Sequence, residues 1–237
     1  MRFVPVKNEE QQATLMLHST RDLLISQRTA LINALRGHFA ELGIVVAQGA
    51  RNARQLTAIV NAEDNTVLPA SARHALQPVA AMLIDIETQI GKLDKDILAT
   101  HRKDNVSKRL ATIPGIGTVT ASCLSASVPD ARVFKCGREF AAWMGLVPRQ
   151  FSTGGKPRLG SISKMGNRRL RALLVVGAHA ALYRMKSGKT QTPLADWARS
   201  LLSKKPFKLV AVALANKMAR MTWAMMVRGT AYRASAA

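Results

Sequence analysis

Two cysteines, Cys123 and Cys136, are all that the 237-residue sequence contains, and neither stands in a CxxC spacing. That scarcity excludes a disulfide framework, leaves too few thiolates for a zinc ribbon and fits a reducing, intracellular compartment. Histidine offers no substitute: His18, His38, His74, His101 and His179 are scattered without an i,i+4 pair, so neither zinc ligation nor a Ser-His pair can be read from spacing. Long apolar runs are missing too. The first ten residues hold no apolar core of a signal peptide, and the most apolar late stretch, 209–227, is broken by Asn216, Lys217 and Arg220; neither a leader nor a membrane span is expected. Acid is scarce as well, 14 Asp+Glu against 35 Lys+Arg, for a formal net charge of +21. Because 48% of the residues are hydrophobic, the chain can still bury a core, which excludes simple disorder. A folded chain with this balance points to a polyanion, and nucleic acid is the expected partner.

The imbalance is confined to one half. Residues 1–104 hold 12 basic and 11 acidic side chains, whereas residues 105–237 hold 23 basic ones against Asp130, Glu139 and Asp196. The second half cannot neutralise itself by ion pairs. The first half is therefore expected to be scaffold, and the second to touch the nucleic acid.

Periodicity predicts an all-α chain. Residues 9–42 read as one long helix, with Glu9 and Glu10 in its first turn and Leu17, Leu24 and Leu31 recurring every seven residues before Gly43. Residues 44–69 lose the period and read as an irregular helical connector. Leu76, Val79, Leu83, Ile86, Ile90, Leu93 and Ile97 then follow 3-4 spacing with charges between them, a coiled-coil pattern that is either an intermolecular seam or a helix packed within the same chain. We therefore expect a coiled-coil linker over 1–104 and a compact helical domain over 105–237. Within the latter, Pro114-Gly115-Ile116-Gly117 separates two short helical segments and resembles a helix-hairpin-helix over 108–128. Gly115 and Gly117 would let backbone N–H groups approach a phosphate there, the alternative being an ordinary glycine-rich connection.

The densest polar segment is 145–171, with five glycines, three serines and seven basic side chains: Arg149, Lys156, Arg158, Lys164, Arg168, Arg169 and Arg171. It holds no acid. Gly-x-x-x-x-Gly-Lys-Ser/Thr is absent, so nucleotide hydrolysis is disfavoured. The segment reads as a flexible, phosphate-receiving loop ending at Asn167, a candidate cap for the next helix. Arginines 168, 169 and 171 in that helix's first turn oppose the macrodipole, which makes sense if a phosphate sits there; otherwise they point into solvent.

Four ordered motifs carry a closer resemblance. Ile-Pro-Gly-Ile-Gly-x-x-Thr-Ala (113–121), Phe-Ala-Ala-Trp-x-Gly-Leu-x-Pro-Arg (140–149), Ser-Thr-Gly-Gly-Lys-x-Arg-Leu-Gly (152–160) and Ile-Ser-Lys-x-Gly-Asn-x-x-Leu-Arg (162–171) resemble the C-terminal domain of the DEDD-type insertion-sequence transposases, the IS one-ten and eleven-eleven group of bridge-RNA-guided recombinases. The opening Arg-Phe-Val-Pro-Val-Lys followed by a long helix is similar to the same family's coiled-coil linker. The resemblance implies DNA transposition and recombination through a serine-phosphate intermediate, with Ser152 or, under another alignment, Thr153 as nucleophile. It also implies a guide RNA, self-association through the coiled coil, and work in the cytoplasm at the nucleoid. No cofactor is expected on this chain, since the resemblance assigns Mg²⁺ to an N-terminal RuvC-like domain whose acidic tetrad has no counterpart here. The chain is accordingly expected to be a truncated transposase, inactive by itself. The alternative is a non-catalytic DNA- or RNA-binding protein.

Overall fold

The computed structural model describes residues 5–49, 52–62, 67–156, 158–188 and 190–233. Residues 2–4 of the opening motif, Asp64 and Asn65 of the connector and Pro157 of the basic segment lie outside them. Among the described residues there are nine α-helices and one two-stranded antiparallel sheet. The all-α expectation holds apart from that sheet.

α1 (Glu9–Glu41) begins at a reciprocal cap. Asn8 Oδ1 accepts from Gln11 N at 2.8 Å, and Gln11 Oε1 accepts from Asn8 N at 3.1 Å, so two N–H groups that no helical carbonyl can reach are satisfied together. Glu9 and Glu10 then complement the positive end of the helix. In the connector the irregular reading gives way to a definite helix, α2 (Ala53–Asn61), followed by α3 (Ala70–Lys103).

The chain divides into two compact units. The first comprises 16–97, the second the described residues up to Leu15 together with those from Leu98 onward. The described start of α1 up to Leu15 and the end of α3 from Leu98 fall with the C-terminal helices.

In unit 16–97, Ile32, Leu35 and Phe39 of α1, Ala53, Leu56 and Val60 of α2, and Leu76, Ala80 and Leu83 of α3 share one core. Arg21 Nε donates to Asp94 Oδ1 at 2.6 Å. The early part of α1 thus meets the late part of α3, and the late part of α1 meets the early part of α3. Of the heptad stripe, Leu76, Leu83, Ile86, Ile90 and Ile97 are buried within the same chain, and Val79 and Leu93 are half-buried. Of the two readings of that stripe, the intramolecular one accounts for its burial.

The other unit is built around α9 (Phe207–Arg228). Val210, Ala211, Leu214, Ala215, Met218, Ala219, Thr222 and Met225 bury a broad stripe, and against α9 pack α4 (Asn105–Leu110), α6 (Gly137–Trp143), α7 (Arg168–Lys186) and α8 (Pro193–Leu202). Three alanines in the stripe keep it shallow enough for close helix approach. α5 (Thr118–Ser127) packs on α4 and α7. Phe134, Phe140 and Trp143 form an aromatic triangle with centroids 5.0–5.8 Å apart; Phe140 is fully buried and Trp143 only partly. Trp223 Nε1 donates to Ala131 O at 3.0 Å, so the buried part of its ring carries no unpaired donor.

Candidate nucleic-acid interface

α6 ends in a left-handed turn at Gly145 (φ 71°), with Gly145 N bonded to Ala142 O at 2.8 Å and Leu146 N to Ala141 O at 3.0 Å. This pair of bonds satisfies the last carbonyls of the helix and turns the chain outward. Leu146 is buried, and Asn216 of α9 donates to its carbonyl at 3.1 Å. Beyond that anchor the chain forms β1 (Pro148–Gln150), reverses, and returns as β2 (Leu159–Ile162). Pro148 pairs with Ile162 and Gln150 with Leu159, with one extra residue bulged in the second strand. Phe151 N to Arg158 O (2.8 Å) and the Thr153–Lys156 bridge carry the pairing to the tip. Gly154 and Gly155, at φ 55° and 75°, make the two-residue turn. Positive φ at both central residues is the requirement of the tight hairpin turn whose twist matches that of the strands. The segment expected to be a flexible loop is therefore an ordered ribbon.

Backbone crossings clamp the base of this ribbon. Ser163 N bonds to Val147 O at 2.8 Å and Lys164 N to Gly145 O at 3.2 Å, with Lys164 itself at φ 57°. A Cβ on Gly166 would lie 1.8 Å from Trp143 O, and one on Gly145 would lie 2.1 Å from Met165 O. Arg171 Nη1 closes the crossing by donating to Met144 O at 3.0 Å and Met165 O at 3.3 Å. As expected of a cap, Asn167 Oδ1 accepts from Leu170 N at 3.1 Å and starts α7.

The residues read from sequence as phosphate-binding thus divide. Arg149, Lys156, Arg158, Lys164 and Arg168 are exposed, and among the described residues none of them has an acid partner. Arg149 Nη2 makes one long bond, 3.3 Å, to Ser163 O. Arg169 is half-buried, and Arg171 spends its guanidinium on the hairpin base. The three late acids bond close to home: Asp130 accepts from Arg132 N, Glu139 from Lys135 N, and Asp196 pairs with Arg199. None of these contacts offsets the ribbon's charge.

Ser152 and Thr153 stand just before the turn. Ser152 Oγ accepts from Arg158 N at 3.1 Å and Gln150 Nε2 at 3.3 Å, which fixes its rotamer while leaving its proton to donate. Thr153 is exposed at the bridge with Lys156. Gly115 and Gly117 lie apart from this ribbon in sequence and differ from each other in surroundings. A Cβ on Gly115 would meet Gly177 O of α7 at 2.7 Å, and one on Gly177 would meet Gly115 O at 2.0 Å; Gly115 serves this close crossing of the α4–α5 connection with α7. Gly117, at the start of α5, is exposed with nothing within 4 Å of a built Cβ.

Sequence reading passed over two features. A cleft of about 480 Å³ is lined by Cys136, Arg138, Lys217, Arg220 and Trp223 among others. Lys217 places Nζ 4.2 Å from the Trp197 ring centroid, and burial, then the neighbouring Arg220, lowers its pKa from the ordinary lysine value. The other feature is apolar: Phe151, Leu159 and Met165 stand largely exposed within the basic segment. Their exposure follows from the ribbon's position and has no signature in a linear pattern. The Mg²⁺ that the resemblance implies has no fitting donor set here, since no three His, Cys, Asp or Glu side chains gather among the described residues.

A helical chain with a basic, hydroxyl-bearing ribbon is what the geometry defines. Residues 107–194, which include the ribbon and α7, match the family described as Transposase IS116/IS110/IS902. Over 98% of its length the chain is 46% identical to a putative transposase, y4pF/y4sB, of Sinorhizobium fredii, covering 59% of that protein. It is 45% identical to a probable family 20 transposase of Pseudomonas aeruginosa, covering 98% of this chain and 69% of the relative. The transposase for insertion sequence element IS1111A of Coxiella burnetii is 36% identical over 100% of this chain and 64% of its own length. The chain belongs to the IS116/IS110/IS902 transposase family, and it spans roughly three-fifths to two-thirds of the length of these relatives.

Proposed function

We propose that this chain is the DNA-binding and strand-transfer portion of an insertion-sequence transposase, in which the ribbon of 145–171 receives a DNA phosphodiester and presents it to a hydroxyl. The observation that carries the reading is the placement of Ser152 and Thr153 beside a Gly-Gly turn, on a ribbon whose exposed Arg149, Lys156 and Arg158 have no acid partner among the described residues. Attack by the hydroxyl oxygen on phosphorus forms a protein phosphodiester and breaks the bond to one deoxyribose oxygen, which leaves with a proton. The arginines, Lys156 and backbone N–H groups stabilise charge on the phosphate. Gly117, exposed at the start of α5, offers a second phosphate contact. Among the described residues no general base is seen against either hydroxyl, so we propose that turnover needs the acidic domain of the family's split active site and that the chain alone binds without recombining.

Of the two hydroxyls we assign the attack to Ser152, whose primary hydroxyl is less hindered and whose oxygen is already oriented by two donors. Ser152→Ala is expected to abolish a covalent adduct on a nicked DNA substrate when a RuvC-like domain is supplied in trans with guide RNA, and Thr153→Ala to retain it. Adduct in both single variants and in the double variant refutes a nucleophile on this ribbon. Absence of adduct from wild type under the same conditions, with DNA binding intact, favours the non-catalytic binding reading.

Guide RNA on the same basic surface, work at the nucleoid and self-association belong to this proposal. With Ile86 and Ile90 buried within the chain, charging them would unfold their unit and say nothing about assembly. The exposed apolar residues Met82 and Ile84 of α3 are the better probes. The wild type is expected to scatter light as a dimer, and Met82→Glu with Ile84→Glu to halve the mass with unchanged helicity; a monomeric wild type overturns self-association through this helix.

A further inference from the structure

Phe151 is 59% exposed, one residue before Ser152, on the most basic segment of the chain. Its ring lies over Gly160 of the opposite strand: a Cβ built there would meet Phe151 Cε2 at 2.8 Å and Cδ2 at 3.4 Å. The backbone of Gly160 is not in the left-handed region, so the absence of a side chain here serves space and not a turn. One side of the ring is supported by a strand, and much of the rest faces solvent. A phenylalanine left so open gains by covering its ring.

The surroundings select the occupant. Arg149, Lys156 and Arg158 are exposed on the same ribbon, without acid partners among the described residues, a setting that repels cationic surfaces and attracts phosphates. An apolar protein partner would have to desolvate those cations without replacing their solvation. A nucleotide strand supplies both parts, anionic phosphate for the cations and a flat π-face for the ring, and every base has such a face.

We propose that Phe151 is a base-stacking residue, holding an unpaired DNA base on its exposed ring so that the adjoining phosphate is fixed beside the hydroxyl of Ser152. The assignment rests on the nucleic-acid reading of the ribbon. Successive side chains of an extended strand stand about 3.3 Å apart and face opposite ways, so the gripped nucleotide would lie along the edge of this two-stranded ribbon, its base on the side of the ring and its phosphate turned toward Ser152. The ring is a positioning group: it orients the reacting phosphate by gripping the neighbouring base and takes no part in bond making.

The test uses the full chain and two DNA probes of equal length, one a continuous duplex, the other the same duplex with a short unpaired gap carrying 2-aminopurine. Wild type is expected to bind the gapped probe more tightly and to change its 2-aminopurine emission. Phe151→Ala should weaken gapped-probe binding about tenfold, the order of one lost stack, and erase the emission change, while duplex affinity and the salt slope stay as they were. Phe151→Trp should restore both. Gly160→Ala, which pushes the ring aside without altering charge, should act in the same direction as Phe151→Ala. Equal losses on both probes, or no loss on either, overturn the stacking role, as does a Phe151→Ala variant whose only change is loss of self-association. If wild type binds neither probe, the nucleic-acid reading itself fails, a result distinct from any of these.

Discussion

Raising salt from about 50 to about 200 mM is expected to weaken this chain's binding to DNA about a thousandfold, with log K falling against log salt at a slope of roughly −5. The figure assumes that about six phosphates are neutralised, each releasing counterions from the DNA. Five exposed cations without acid partners among the described residues, Arg149, Lys156, Arg158, Lys164 and Arg168, supply most of that number from one segment. Replacing Lys156 and Arg158 together by glutamine should flatten the slope by about two and weaken binding alike for all sequences, because phosphate contacts position without reading bases. Arg171 does not belong in such a variant. Its guanidinium holds Met144 O and Met165 O, so its removal would disturb the ribbon's base and confound lost charge with lost structure. Titrations across salt by fluorescence anisotropy decide the matter, and a flat response would sink the polyelectrolyte reading of the basic segment.

The helices were legible because each leaves a local mark. Most of the heptad stripe 76–97 is buried, as helical periodicity requires, and Asn167 caps α7 as its position suggested. The ribbon was not, for a reason its burial explains: β1 is exposed throughout and β2 nearly so. With neither face in the core there is no apolar–polar alternation to betray a strand. The signal that remained was Gly154-Gly155, a two-residue hairpin turn, hidden among other glycines and serines that suggest flexibility. Side-chain chemistry at 145–171 was readable, its division of labour was not. That Arg171 clamps backbone while Arg168 faces solvent depends on carbonyls 27 and 6 residues away. Gly115 illustrates the same limit: a motif glycine apt for a phosphate is pressed against Gly177, a contact that only the crossing of two elements creates.

Gly166→Ala is expected to destabilise the C-terminal unit by about 4 kcal/mol or more, lowering its melting temperature by about 10 °C. Two costs act together. The residue sits at φ 86°, where a side chain crowds its own backbone. The new methyl would also be 1.8 Å from Trp143 O, a backbone atom on α6 that cannot swing away as a side chain would. Relief requires the 163–167 segment to separate from the end of α6, and that breaks the Arg171 bond to Met144 O or Met165 O and loosens the Lys164–Gly145 pairing. Gly145→Ala should behave alike, since its methyl would meet Met165 O from the other side of the same crossing. Gly91→Ala is the control: it lies in α3 with nothing within 4 Å of the added carbon, and it should stabilise by about 0.5–1 kcal/mol through helix propensity. Melting followed by circular dichroism tests all three. Loss of DNA affinity should accompany the first two changes even below their melting temperatures, because the ribbon's cations are presented by that clamp; a Gly166→Ala variant that melts and binds like wild type would mean that the crossing does not set the ribbon's position.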